Sequence, residues 1–78
     1  MNLKLPIISG EKAIKTFEKI GYKVVRIKGS HKRLRDEIDR NHKPLTIPNH
    51  KVLKPGLLKK LIRDSNLTIE KFIELLKK

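Results

Sequence analysis

The chain has 78 residues, 20 of them Lys or Arg against eight Asp or Glu, for a formal net charge of +12, and it contains no cysteine. Disulfides and thiolate metal ligands are thereby excluded, and no stretch approaches the roughly 20 apolar residues of a membrane span. So short a chain suits one domain over residues 1–78, with a core worth roughly a few kcal/mol of net stability.

The opening stretch MNLKLPIISG has neither the apolar run nor the small-residue cleavage pattern of a secretory signal. A cytoplasmic protein with no membrane partner is therefore expected. Ser9 is a helix cap with Glu11 in the first turn. Ala13, Ile14, Phe17 and Ile20 follow at helical spacing, and Gly21 supplies a stop, so the spacing predicts an amphipathic helix over 10–20. The β-branched run YKVVRIK predicts a strand, with Val25 and Ile27 on one side and Val24, Arg26 and Lys28 on the other.

Gly29-Ser30 predicts a turn. In HKRLRDE, His31, Arg33 and Arg35 share one face of a second strand, and Lys32, Leu34 and Asp36 share the other. IDRNHK is polar enough for a loop, and PLTIP predicts a short third strand closed by Pro48. Pro55 opens a second helix carrying Leu57, Leu58, Leu61 and Ile62 inward. Thr68 caps a short third helix with a stripe of Ile69, Phe72, Ile73 and Leu76. The order predicts an α+β two-layer sandwich, with helices on one face of a three-stranded antiparallel meander. The helix-facing side would carry Val25, Ile27, Leu34, Leu45 and Ile47.

By alternation, His31 then stands on an open sheet surface with Arg26, Lys28, Arg33 and Arg35. A charge balance of this sign favours polyanions, nucleic acid first and an acidic protein surface second. RNA carries its own nucleophile, the 2′-hydroxyl. A protein that cleaves it must take up that proton, stabilise charge on the phosphoryl oxygens and see the 5′-oxygen protonated. Histidine suits the proton transfers because its ordinary pKa, ~6.5, lies near working pH, and fixed cations suit the second task. Gly29 lets a phosphate approach the backbone, and the Ser30 hydroxyl can donate to it. Lys32 belongs to the same basic run. Lys59, Lys60 and Arg63 on the second helix, and Lys54 at its start, are further candidates for backbone phosphates.

The remaining polar residues read otherwise. His42 and His50 are expected to be surface or capping groups. A site for metal built from His31, His42 and His50 lacks close spacing and a carboxylate partner. Asp36 and Glu37 could orient an imidazole, but solvated strand-end charges are the reading adopted. With Tyr22 the only tyrosine, base stacking has no platform on the sheet.

The ordered set Gly21-Tyr22, Arg26, Gly29-Ser30-His31, Ile47-Pro48 with His50, and Pro55-Gly56 resembles the HicA-type toxins of toxin–antitoxin pairs. The ending LTIEKFIELL shares that likeness. The resemblance implies a double-stranded-RNA-binding-like fold, helix–strand–strand–strand–helix with a short C-terminal helix. It also implies cofactor-free, metal-independent cleavage of mRNA with His31 catalytic, and a HicB-type antitoxin that covers the active face. Many relatives carry a second histidine where this chain has Lys32, and DEIDRNHK is longer than their usual turn. The competing reading is a non-catalytic double-stranded-RNA-binding module; a third is a chain that only docks an acidic protein.

Overall fold

The computed structural model describes residues 5–78; residues 1–4, part of the stretch read for a secretory signal, lie outside the described residues. Gly10–Glu18 form α1. The Ser9 hydroxyl accepts the Lys12 amide at 3.0 Å and so satisfies one of the free amides of the first turn. The helix closes two residues earlier than the spacing predicts. Gly21 at φ 111° turns the chain out, and the amides of Ile20 and Tyr22 both return to the Phe17 carbonyl.

Strands β1 (Lys23–Lys28), β2 (His31–Arg35) and β3 (Leu45–Pro48) pair in that order as an antiparallel sheet. The β1–β2 turn depends on Gly29, whose φ of 59° is disfavoured for any residue with a Cβ. Helix α2 (Pro55–Asp64) begins with its proline in the first turn, where the missing amide is harmless. Thr68 caps α3 (Ile69–Leu76), its hydroxyl accepting the Lys71 amide at 3.0 Å. The helices cover one face of the sheet and leave the other open, the α+β architecture that the pattern predicts.

Between the layers lie Ala13, Ile14 and Phe17 of α1, Leu34, Leu45 and Ile47 of the sheet, Leu58, Leu61 and Ile62 of α2, and Phe72 of α3. Phe17 is the centre, its ring 5.2 Å from Phe72 and 5.9 Å from Tyr22. In α3 the buried residues are Phe72 and Leu75, while Ile69 and Leu76 pack more shallowly. Two buried hydroxyls are satisfied locally, Thr16 by the Lys12 carbonyl at 2.9 Å and Ser65 by the Ile62 carbonyl at 2.8 Å. The Lys19 ammonium donates to the carbonyls of Leu75 and Lys78 at 2.8 and 2.7 Å. It thus ties the end of α1 to the negative end of α3.

One expectation is overturned. Val25 does not lie on the helix-facing side of β1 and is 47% exposed, while Ile27 keeps that side but is 64% exposed rather than buried. Val24 pairs with Leu34 but Arg26 already pairs with Arg33, so β1 carries a bulge between them. The extra residue breaks the alternation. Val24 takes the core position, packed against the buried cluster, and Val25 turns to the open side. Ile27, opposite Lys32, lies beyond the cover of the helices.

Phe17→Ala removes the ring that joins α1, α3 and Tyr22. It is expected to cost about 3–5 kcal/mol, enough to unfold most of a protein this small, as read by urea denaturation followed by circular dichroism.

Candidate nucleic-acid interface

Two cross-strand rows build the open face. Lys28, His31 and Pro48 are aligned in one, and Arg26, Arg33 and Thr46 in the next. Antiparallel pairing sets neighbours in a row about 5 Å apart. The side chains of Arg26, Lys28, His31, Arg33 and Thr46 line a single shallow concavity, and all of them are exposed. Thr46 escaped the sequence reading: its hydroxyl accepts from the Arg33 guanidinium at 3.3 Å. Only the register could have revealed that neighbour. The turn is anchored too, since the Asn49 amide donates to the Ser30 carbonyl and so fixes the strand start that carries His31.

Arg35 lies opposite Lys23, and Arg26 opposite Arg33. Like charges placed directly across a sheet are destabilising. Among the described residues, the ion pairs join Lys15 to Glu11, Lys60 to Asp64, Lys71 to Glu74, and His42 to Asp36 and Asp39. None reaches Arg26, Lys28, Arg33 or Arg35. Glu37 is the one carboxylate that shares a concavity with Arg26, Arg33 and Arg35 among the described residues, and it forms no ion pair with them, so the face stays strongly positive.

The other basic candidates stand elsewhere. Lys32 is half-buried on the helix side of β2, between Ile27 and Ile47. Lys54 is exposed at the start of α2, where no side chain caps the first amides. Lys59 and Lys60 line a groove between α2 and the start of α3 together with Arg63, and Lys60 is held by Asp64 at 3.3 Å. Gly29 and Ser30 are exposed in the turn itself. The candidates therefore divide between the open sheet face, the turn before it and the surface of α2, with Lys32 turned to the helix side of the sheet, away from His31.

His42 and Asp36 depart from expectation. The Asp36 carboxylate is not a solvated charge: its side chain is 6% exposed, and it accepts the amides of Ile38 and Asp39 at 3.0 and 3.1 Å. Its second oxygen lies 2.9 Å from His42 Nδ1. Hydrogen bonds from the Asp39 and Ile38 amides, and then from His42, hold the Asp36 carboxyl below the usual carboxylate range. The His42 ring stacks on Tyr22 with centroids 5.2 Å apart and planes 16° from parallel. Burial pushes the Tyr22 phenol far up, with the carboxylates of Asp36, Asp64 and Asp39 adding to it. The phenol keeps its proton and donates it to the Lys43 carbonyl at 2.7 Å. Asp36 does orient an imidazole, but that of His42. His50 is exposed, with its carbonyl accepting the Gly10 amide at 2.9 Å. Among the described residues no three His, Asp or Glu side chains are grouped to hold a metal ion, and no helix is long and apolar enough to cross a membrane.

Fold and face together define a small α+β protein that offers a polyanion an uncovered basic sheet with one imidazole upon it. The family model for the HicA toxin of bacterial toxin–antitoxin systems matches residues 10–67, more than half of the 78 residues, and the chain belongs to that family. It is the toxin of a toxin–antitoxin system, and an antitoxin partner follows from that membership. Neither the curated proteins nor the solved structures give a significant match.

Arg26→Thr relieves the repulsion opposite Arg33. It is expected to raise the unfolding free energy by a few tenths of a kcal/mol at low salt, a gain that shrinks at about 0.5 M salt, where screening removes the repulsion anyway. Asp36 has the opposite sign with pH. Its depressed carboxyl adds stability that is complete above the ordinary carboxylate value and is lost as pH falls through the lower folded value. The stability difference between the wild type and Asp36→Asn should accordingly shrink between pH 5 and pH 3 in urea titrations.

Proposed function

We propose that this toxin is an endoribonuclease of mRNA in which His31 is the catalytic base. The observation that carries the reading is the concavity of the open face, where one exposed imidazole stands among Arg26, Lys28 and Arg33. His31 takes the proton from the ribose 2′-hydroxyl as the O2′–P bond forms. The P–O5′ bond breaks, and the leaving 5′-oxygen takes a proton from solvent or from the imidazolium. The products are a 2′,3′-cyclic phosphate and a 5′-hydroxyl. Arg26, Lys28, Arg33 and Arg35 stabilise the charge gathering on the phosphoryl oxygens. This scheme uses the substrate's own nucleophile, so neither metal nor cofactor enters it.

Gly29 and Ser30 present His31 and leave room for the phosphate. Lys54, Lys59 and Lys60 hold phosphates further along the strand, with Lys60 the weakest of them because Asp64 competes for it, while Lys32, turned to the helix side, adds only to the field. The 78 residues act as one domain in the cytoplasm, where mRNA is found, and a HicB-type antitoxin blocks the basic face. The second reading, RNA binding without cleavage, draws on the same unpaired cations and makes His31 dispensable.

Purified protein incubated with mRNA in EDTA separates the two. The wild type is expected to yield fragments with 2′,3′-cyclic phosphate ends. His31→Ala should lose at least about 100-fold in rate while its low-salt RNA affinity stays within about threefold, because phosphate contacts set affinity. Equal cleavage by His31→Ala would remove the assignment, and absence of cleavage by either protein would favour the binding module.

A further inference from the structure

Two apolar side chains lie in water for no reason of folding. Ile38 is 95% exposed and Val25 47% exposed. They come from different devices, Val25 from the bulge in β1 and Ile38 from the loop after β2, yet both line one concavity of about 210 Å³. Gly21 also lines it, and a Cβ there would come within 2.5 Å of an Asp36 carboxylate oxygen. Lys23 and Arg35, paired across β1 and β2, complete the lining with the carboxylates of Asp36 and Glu37.

We propose that this cleft is the anchor point for the antitoxin, and that it receives an apolar side chain of an acidic protein segment whose neighbouring carboxylates meet Lys23 and Arg35. The proposal rests on the toxin reading only through the existence of an antitoxin, and it does not require RNA cleavage.

Ile38 is exposed but held. Its amide is tied to Asp36, which is tied to His42, which stacks on Tyr22. With the backbone fixed before contact, only the rotamers of the Ile38 side chain remain to be ordered on binding. A buried apolar anchor inside a charged rim is also the usual anatomy of a protein interface. RNA phosphates gain nothing from Val25 and Ile38. A second copy would set one +12 chain against another. Asp36 and Glu37 also line the cleft, but Asp36 is already held by the Ile38 and Asp39 amides and by His42. Neither Lys23 nor Arg35 has a carboxylate partner among the described ion pairs, and Arg26 and Arg33 adjoin through the next concavity, so the surroundings stay net positive and suit an acidic protein.

The test uses the full chain and, as probe, the purified antitoxin of its own toxin–antitoxin system, titrated calorimetrically. Ile38→Asp is expected to weaken that complex by about tenfold or more, with unchanged thermal stability and RNA affinity. Val25→Thr should weaken it less, and Lys23→Glu should weaken it most at low salt. Unaltered antitoxin affinity in Ile38→Asp would overturn the proposal. So would a parallel loss of RNA affinity, which would give the cleft to the nucleic acid, or a wild-type dimer that Ile38→Asp dissociates, which would give it to a second copy. A wild type that fails to cut RNA bears on the nuclease reading alone and leaves this comparison intact.

Discussion

Leu34 is the one residue of β2 that is fully buried, between Val24 on one side and Leu45 on the other. Side chains alternate along a strand, so seating Leu34 under the helices turns His31, Arg33 and Arg35 to the opposite face. A slip of one residue would reverse the strand and place three basic side chains against Phe17 and Leu58. The burial of one leucine therefore fixes the orientation of the whole candidate site, and the apolar neighbours in β1 and β3 make that choice stable.

The same sheet shows how a small fold tolerates a face that repels itself. Among the described ion pairs no carboxylate reaches Arg26, Lys28, Arg33 or Arg35, and most of the engaged acids serve other elements. Asp36 orders the loop after β2, Asp39 helps to hold His42, and Asp64 holds Lys60. The core of aromatic and aliphatic residues on the other side must outweigh the repulsion. A polyanion bound to the face would remove the penalty, linking ligand binding to fold stability.

The elements were legible because their signals are local. Ser9 and Thr68 cap the helices that their positions predict, and the spacing of Ala13, Ile14 and Phe17 matches the buried side of α1. The bulge was not legible. YKVVRIK fits strict alternation equally well, and only pairing with β2 shows that Val24 goes in and Val25 goes out. The His42 arrangement was hidden for a different reason. Its partners Tyr22 and Asp36 lie 20 and six positions away, and a histidine in a polar stretch gives no sign of an aromatic ring that the fold brings to it. The exposure of His31 followed from alternation within β2, whereas its cross-strand neighbours Lys28 and Pro48 are set by the register with β1 and β3.

Arg33 differs from the other cations of the face in one respect, its hydrogen bond to Thr46. Lys28, by contrast, is a flexible stem with a freely rotating head. A planar guanidinium steered by a neighbouring hydroxyl has already surrendered part of its rotamer freedom, so it has less left to lose when an anion arrives. The face is consequently uneven in stiffness, with one aimed fork among mobile charges, and the fork points where strand pairing puts it, one row from the imidazole.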